Sequence, residues 1–366
     1  MIKNLSLQNF TVFEQGNLEF SSGLNVIIGE NGTGKTHLLK LSYLFSNAWE
    51  HLVKNKGLIA EKKVERYFSE HLFAMFKPDT IGSLTTTDGD GKSSISSSVK
   101  GCIPTINIRL PSEPELPPLS DEIDWSFSFS NRSIDNVKLQ DRLTNNAMYG
   151  KAVFLPSKEI LSFFDGFYAL SVKRELQFDE TYSDLALNLS TPKLKVVPSF
   201  IQHALSNLID DVGGTLELDG GKFYLVSKGK KRQEITLVAE GIRKLATLMH
   251  LIENGSLEQG DTLFWDEPES NLNPKLIKDV AAALLFLCKN GIQVVVATHS
   301  LFLLRELEIL STQKEYQNVS QRYFALEKTQ AGVQVLQGDS IDDIDPLVML
   351  DEDLEQSDRF MALGGE

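Results

Sequence analysis

Three apolar stretches open the chain: Ile2, Leu5 and Leu7, then Leu18 and Phe20, then the dense run Leu24 to Ile28, with Gly16 and Gly23 between them. Spaced apolar positions predict two half-exposed strands, and the continuous run predicts a buried one. After Gly34, the positions Leu38, Leu39, Leu41, Leu44 and Phe45 fall at helical spacing with no breaker before Gly57. Strand, glycine loop and helix therefore follow one another directly. From about 80 to 129 the composition shifts to Ser, Thr, Gly, Asp and Pro, with alternating stretches at Ser94 to Val99, Thr105 to Leu110 and Trp125 to Phe129. This predicts an inserted antiparallel subdomain with loose loops. The compact run Ala152 to Leu155 predicts a strand ahead of a mostly helical stretch from about Ile160 to Ile209. Thr215 to Leu218 and Lys222 to Val226 flank Asp219-Gly220-Gly221 and predict a hairpin. Helix then alternates with strand: Gly241 to Glu253, Thr262 to Trp265, Pro274 to Lys289, Ile292 to Ala297. Such alternation predicts an α/β fold, a mostly parallel sheet covered by helices. There is no internal repeat and no heptad run long enough for a coiled coil.

Composition narrows the class. The 366 residues are 42% hydrophobic and 23% charged, ordinary for a folded chain of one large domain or two. Cys102 and Cys288 lie far apart with no C-x-x-C spacing, so neither a disulfide framework nor a zinc motif is expected, and a reducing cytoplasm fits. The longest apolar run, Val280 to Cys288, is too short to span a bilayer, and the first residues lack the basic and apolar regions of a signal peptide. No membrane partner is expected. A net charge of −14 disfavours coating nucleic acid through the overall field, although Lys228 to Arg232 and Lys62, Lys63 and Arg66 are local basic patches.

The chemistry concentrates in three places. Gly29-Glu30-Asn31-Gly32-Thr33-Gly34-Lys35-Thr36 matches G-x-x-x-x-G-K-[ST] in the strand-loop-helix setting that motif requires. Glycines let backbone N–H groups turn inward around phosphates, and the helix N-terminus adds a favourable dipole. Lys35 would reach the β- and γ-phosphates and the Thr36 hydroxyl would ligate Mg²⁺. Glu30, Asn31, Gly32, Thr33, Gly34, Lys35, Thr36 and His37 are the expected nucleotide-binding residues. Second, Thr262 to Trp265 ends in Asp266-Glu267. Asp266 at a parallel-strand terminus can hold Mg²⁺ through water, and Glu267 can act as general base on an attacking water. Third, Val294 to Ala297 exits into Thr298-His299-Ser300, where His299 can orient the γ-phosphate end. Histidines 37, 51, 71, 203 and 250 show no metal-ligand spacing.

GENGTGKT, FWDEPESNLNP and VVVATHS, in that order, resemble the ATP-binding-cassette class of P-loop ATPases, in the branch holding RecF, the structural-maintenance-of-chromosomes (SMC) proteins and the overcoming-lysogenisation-defect nucleases. The resemblance implies ATP and Mg²⁺ as cofactors and a D-loop at Asn271. It also implies a signature acting in trans at Ala239, Glu240 and Gly241, with Ala239 where serine is usual. A Q-loop should follow Leu155, where Glu159 is the candidate in place of glutamine. Thr11 stands where relatives often carry a basic residue. LVAEGIRKLATL with LFWDEPESNLNPKLI is similar to stand-alone ATPases of bacterial antiphage modules such as the PARIS ATPase subunit.

The resemblance implies one ABC-type ATPase domain over 1–366. Residues 1–50 and 241–335 would form its P-loop core lobe, 75–130 the inserted antiparallel β subdomain, 150–240 the helical signature subdomain with the hairpin, and 336–366 an acidic tail. Expected partners are a second copy, in a homodimer or higher homo-oligomer, and an effector protein such as a TOPRIM-type nuclease. No nuclease carboxylate set follows His299, and Asp342, Asp343 and Asp345 predict a solvated acidic tail. The competing expectations are a RecF-type ATPase clamping duplex DNA, a transporter ATPase, which the A-E-G signature disfavours, and a binding module that never hydrolyses ATP.

Overall fold

The computed structural model describes residues 1–53, 60–86, 91–100, 122–140, 150–173, 178–195, 212–227, 229, 231–330, 332–344, 355–356 and 358–361. The predicted strand at Thr105 to Leu110, Cys102 and most of the acidic tail lie outside these residues.

The chain begins with β1 (Ile2–Phe10), β2 (Phe13–Glu19) and β3 (Leu24–Gly29), followed by α1 (Lys35–Val53) and α2 (Glu61–Phe76). Next come β4 (Lys92–Lys100), β5 (Glu122–Ser130), β6 (Lys138–Leu139), β7 (Ala152–Leu155), α3 (Phe167–Val172), α4 (Glu180–Leu189), β8 (Thr215–Asp219), β9 (Lys222–Val226) and β10 (Gln233–Glu234). The remainder is α5 (Glu240–Glu253), β11 (Thr262–Asp266), α6 (Pro274–Lys289), β12 (Gln293–Thr298), α7 (Leu301–Ser311), β13 (Gln321–Thr329) and β14 (Gly332–Gly338).

Among the described residues three sheets form. The largest has the order β14-β13-β3-β12-β11-β7, parallel throughout except for β14 at one edge. Its central strands are continuous apolar runs because both faces are covered. Alternate residues go to opposite layers. Val26, Ile28, Trp265 and Val296 join a core with α5, α6 and α7, whereas Ile27, Phe264 and Val295 join a second core with α1 and α2. In that second core Tyr43 of α1 meets the rings of Phe154 and Phe264, and Phe45 stacks on Phe127 of β5.

The strands β4 and β5 pair antiparallel, as their alternation predicts, and β4 pairs in turn with β1. The N-terminal hairpin and the Ser-rich strands thus form one five-stranded sheet, β2-β1-β4-β5-β6, laid over α1. The predicted hairpin is present as β8 and β9, whose Leu216 and Phe223 pack in the same core as α5. Gln293, fully buried at the start of β12, ties the antiparallel layer to the parallel one. Its amide donates to the carbonyls of Ile2 and Ser21 at 2.8 and 2.7 Å and its oxygen accepts from Ile2 N at 2.8 Å. Among the described residues no helix is long and apolar enough to cross a membrane.

Candidate functional site

The glycine loop leaves β3 at the carboxyl end of the parallel sheet. Gly32 and Gly34 adopt φ of 80° and 87°, which L side chains rarely take. A β-carbon at Gly34 would also lie 2.6 Å from the Phe13 ring, so the β1–β2 turn crosses directly against the loop. Thr33 is buried and donates its hydroxyl to the Glu30 carbonyl at 2.8 Å, closing the loop on itself. Lys35 is buried, and its ammonium donates to the carbonyls of Gly29 and Glu30 at 2.7 and 2.9 Å. Burial holds the Lys35 pKa below the ordinary lysine value, against the attraction of Glu267, Asp266 and Glu269. The side chain is a preformed cation inside the loop.

Thr36, the second residue of α1, donates its hydroxyl to Asp266 Oδ2 at 2.8 Å. Asp266 ends β11, and its Oδ1 is buried without a hydrogen-bond partner. Burial pushes this carboxyl up to about 6; the Thr36 hydrogen bond opposes the shift and the Glu267 charge adds to it. A hydroxyl beside an unpaired carboxylate oxygen is the hard-oxygen donor pair that Mg²⁺ favours, so the residues present fit that cation.

Glu267 follows with φ 48°, left-handed backbone for a residue with no local reason to adopt it. Its N–H donates to the Ala297 carbonyl at 2.8 Å, which pins the exit of β11 to that of β12. The Glu267 carboxylate, 31% exposed, lies 3.4 Å from His299 Nδ1. The structure therefore gathers Lys35, Thr36, Asp266, Glu267 and His299 at one edge of the sheet. His37 turns away from this edge. Burial and then Lys40 push its imidazole down to about 4, and it pairs with the Thr11 hydroxyl at 3.0 Å and the Phe76 ring.

A second group forms around the start of α5. Ala239 occupies the N-cap position with no side-chain cap. Glu240 accepts a hydrogen bond from Asn271 Nδ2 at 2.8 Å, and Asn271 sits at φ 62°. A β-carbon at Gly241 would lie 2.6 Å from Leu272 Cδ2, so glycine lets the helix and the Asn271 loop approach. The expected signature and D-loop residues are thus in direct contact within one chain. Lys244, one turn further along, donates to the Glu267 carbonyl at 3.4 Å and the Ser270 carbonyl at 2.9 Å, joining the two groups. Glu159 is buried, its carboxylate 2.8 Å from the Arg243 guanidinium and accepting from Ser162 N at 3.2 Å. Its ion pair is with α5, where the expected signature residues stand.

Two residues near the site, Glu269 inside the FWDEPESNLNP stretch and Lys328 outside every motif, have no role assigned from the sequence. Glu269 is buried and accepts from the Thr298 hydroxyl at 2.6 Å and the His299 N–H at 3.2 Å. Lys328, on β13 beside β3, donates to the Asn31 carbonyl at 2.9 Å and lies 3.4 Å from Glu30 Oε2. The only clue to either was position: a third acid two residues after Glu267, and a lysine on the strand that pairs with β3.

Sequence comparison finds local similarity to the DNA replication and repair protein RecF. The chain is 43% identical over 54 residues to that of Bacillus velezensis, covering 15% of each protein. It is 36% identical over 107 residues to that of Streptococcus equi subsp. zooepidemicus, covering 29% of this chain and 26% of the relative. These matches span well under a third of the relatives' length. The fold is similar to an Smc head bound to the C-winged-helix domain of ScpA, at 14% identity and TM-score 0.54, covering 93% of this chain and 98% of that one. It is also similar to the Smc head with an extended coiled coil, bound to the C-terminal domain of ScpA derived from Pyrococcus furiosus. There the identity is 12% and the TM-score 0.51, covering 98% and 99% of the two chains. Residues 24–305 match the family described as "AAA domain, putative AbiEii toxin, Type IV TA system", and the chain belongs to that AAA family.

Proposed function

We propose that this protein binds and hydrolyses ATP, dimerises around it, and acts as a sensor or scaffold controlling a partner effector, a nuclease toxin, in bacterial antiphage defence. The observation that carries the ATPase reading is the Thr36–Asp266 hydrogen bond of 2.8 Å, which joins the phosphate loop to the acidic strand end, with the Glu267–His299 pair beside it. Lys35 exchanges its loop carbonyls for the β- and γ-phosphates, and Thr36 and Asp266 would hold Mg²⁺, which would supply charge neutralisation on the phosphates. Glu267 takes the proton of the attacking water as it adds to the γ-phosphorus and the bond to the β–γ bridging oxygen breaks, releasing ADP and phosphate, and His299 orients the γ-phosphoryl oxygens. Turnover is slow, because the uncapped start of α5 offers a second protomer's nucleotide only backbone N–H groups, with no hydroxyl at Ala239. Glu159 stands at the Q-loop position and reaches the signature helix through Arg243. The toxin–antitoxin association in the family description supports an effector partner.

The RecF similarity favours a second reading, an ATPase that clamps duplex DNA. The candidate basic residues give it little support: Arg66 pairs with Glu70, Lys63 with the Leu52 carbonyl and Arg232 with Asp219.

Native mass measurement with ATP and Mg²⁺, on the chain co-expressed with its neighbouring gene product, tests the proposal. Glu267→Gln is expected to trap an ATP-bound dimer that retains the partner, and Lys35→Ala to abolish nucleotide binding. An ATP dimer with no bound protein moves the reading to the DNA clamp. Wild-type turnover in Glu267→Gln removes that residue from the base role.

A further inference from the structure

Three carboxylates lie within four residues at the exit of β11, and their surroundings separate them. Asp266 meets Thr36, Glu267 is 31% exposed at the edge of the site, and the Glu269 side chain is 5% exposed. Water does not solvate Glu269, so its contacts determine what it does.

One oxygen, Oε1, serves the whole exit of β12. It accepts from the Thr298 hydroxyl at 2.6 Å and the His299 N–H at 3.2 Å, and it lies 3.6 Å from His299 Nδ1. The same Nδ1 is 3.4 Å from Glu267 Oε1, so one ring nitrogen faces two carboxylates. Nδ1 is thus the ring atom turned toward the acids, and Nε2 is the ring atom left to face a phosphate oxygen. The second oxygen, Oε2, is buried without a hydrogen-bond partner. A buried, half-satisfied carboxylate is unfavourable unless cations balance it. Lys35 and Lys244 both feel the Glu269 charge, one from the phosphate loop and one from the signature helix. Once Lys35 engages phosphates, Lys244 and the His299 ring, 3.6 Å from Oε1, are the groups left beside Glu269.

We propose that Glu269 is a positioning residue for hydrolysis, locking the His299 ring against Glu267 so that base and γ-phosphate ligand are presented together. This rests on the roles given above to Glu267 and His299. Carboxylates set the orientation of metal-bound histidines through their remote nitrogen, where losing the partner typically reduces activity about 10- to 100-fold, and a loss of the same order is expected for a histidine that faces phosphate.

The test compares the full chain with Glu269→Gln, His299→Gln and the double variant, measuring kcat, ATP affinity and melting temperature. Glutamine keeps an oxygen for the Thr298 hydroxyl and the His299 N–H and removes the charge. Glu269→Gln is expected to lower kcat about 10-fold or more with ATP affinity unchanged, and the double variant to be no slower than His299→Gln alone. Wild-type kcat in Glu269→Gln, or losses that multiply in the double variant, overturns the proposal. Wild-type kcat in His299→Gln overturns the role of His299 itself and the proposal with it, a different failure seen in a different variant. If Glu269→Gln does not accumulate folded, Glu269→Asp serves, read by the ring resonances of His299 identified from their absence in His299→Gln. A displaced ring signal supports the proposal and an unmoved one overturns it.

Discussion

Asp266 is poised for a cation at a cost to the free protein. Its carboxyl, raised by burial from 3.8 to about 6, binds a proton more readily folded than unfolded. The stability this gives is fully present below pH 4 and is lost as pH rises through about 6. At pH 7 the buried charge costs about 3 kcal/mol. Asp266→Asn, whose oxygen can still accept from Thr36, is expected to raise the melting temperature of the nucleotide-free chain at pH 7 to 8. The gain should vanish near pH 4, and the variant should lose the added stabilisation by Mg²⁺ and ATP; thermal melts across this pH range check all three. Residues of this kind were legible where chemistry demands a spacing: Lys35, Thr36, Asp266 and Glu267 stand in patterns that few other purposes require. Glu269 and Lys328 were not legible, because each acts through a contact made by folding. Nothing about a glutamate after a proline says that it will be buried under the next strand.

At the scale of elements, packing decides what the motifs can do. The start of α5 rests on the Asn271 loop through Gly241 and the Asn271–Glu240 hydrogen bond, so the two are expected to move together. Gly241→Ala places a methyl against Leu272, and overpacking of this kind costs about 1–3 kcal/mol. The expected outcome is a several-fold loss of ATPase rate with ATP affinity retained, checked by steady-state turnover beside nucleotide titration. Helix and strand assignments for the phosphate-loop unit and for Gly241 to Ala297 were readable from periodicity, since each element there has one clear repeat, whereas α7, β13 and β14 beyond them were not predicted. The partner of β4 was not readable. Alternation in Ser94 to Val99 reports a strand with one buried face and says nothing about which distant strand will pair with it, here β1.

For the whole molecule, the two layers are joined at a few polar points, and Gln293 is one of them. Replacing it with alanine leaves the buried backbone groups of Ile2 without their partners, and each unsatisfied group costs about 1–3 kcal/mol. Gln293→Ala is expected to lower unfolding free energy by several times RT while leaving the phosphate loop intact, measurable by denaturant titration. Strand order was beyond the reach of the sequence because β3 is flanked by β12 and β13, both encoded near the far end of the chain. That order also sets a timetable. The strand that carries the glycine loop has no neighbours in its sheet until about 265 further residues have emerged from a ribosome. A nascent chain therefore exposes a bare apolar strand beside an unformed phosphate cradle throughout that interval. Nucleotide can help only once β12 and β13 have arrived, as a late seal on a cradle already built.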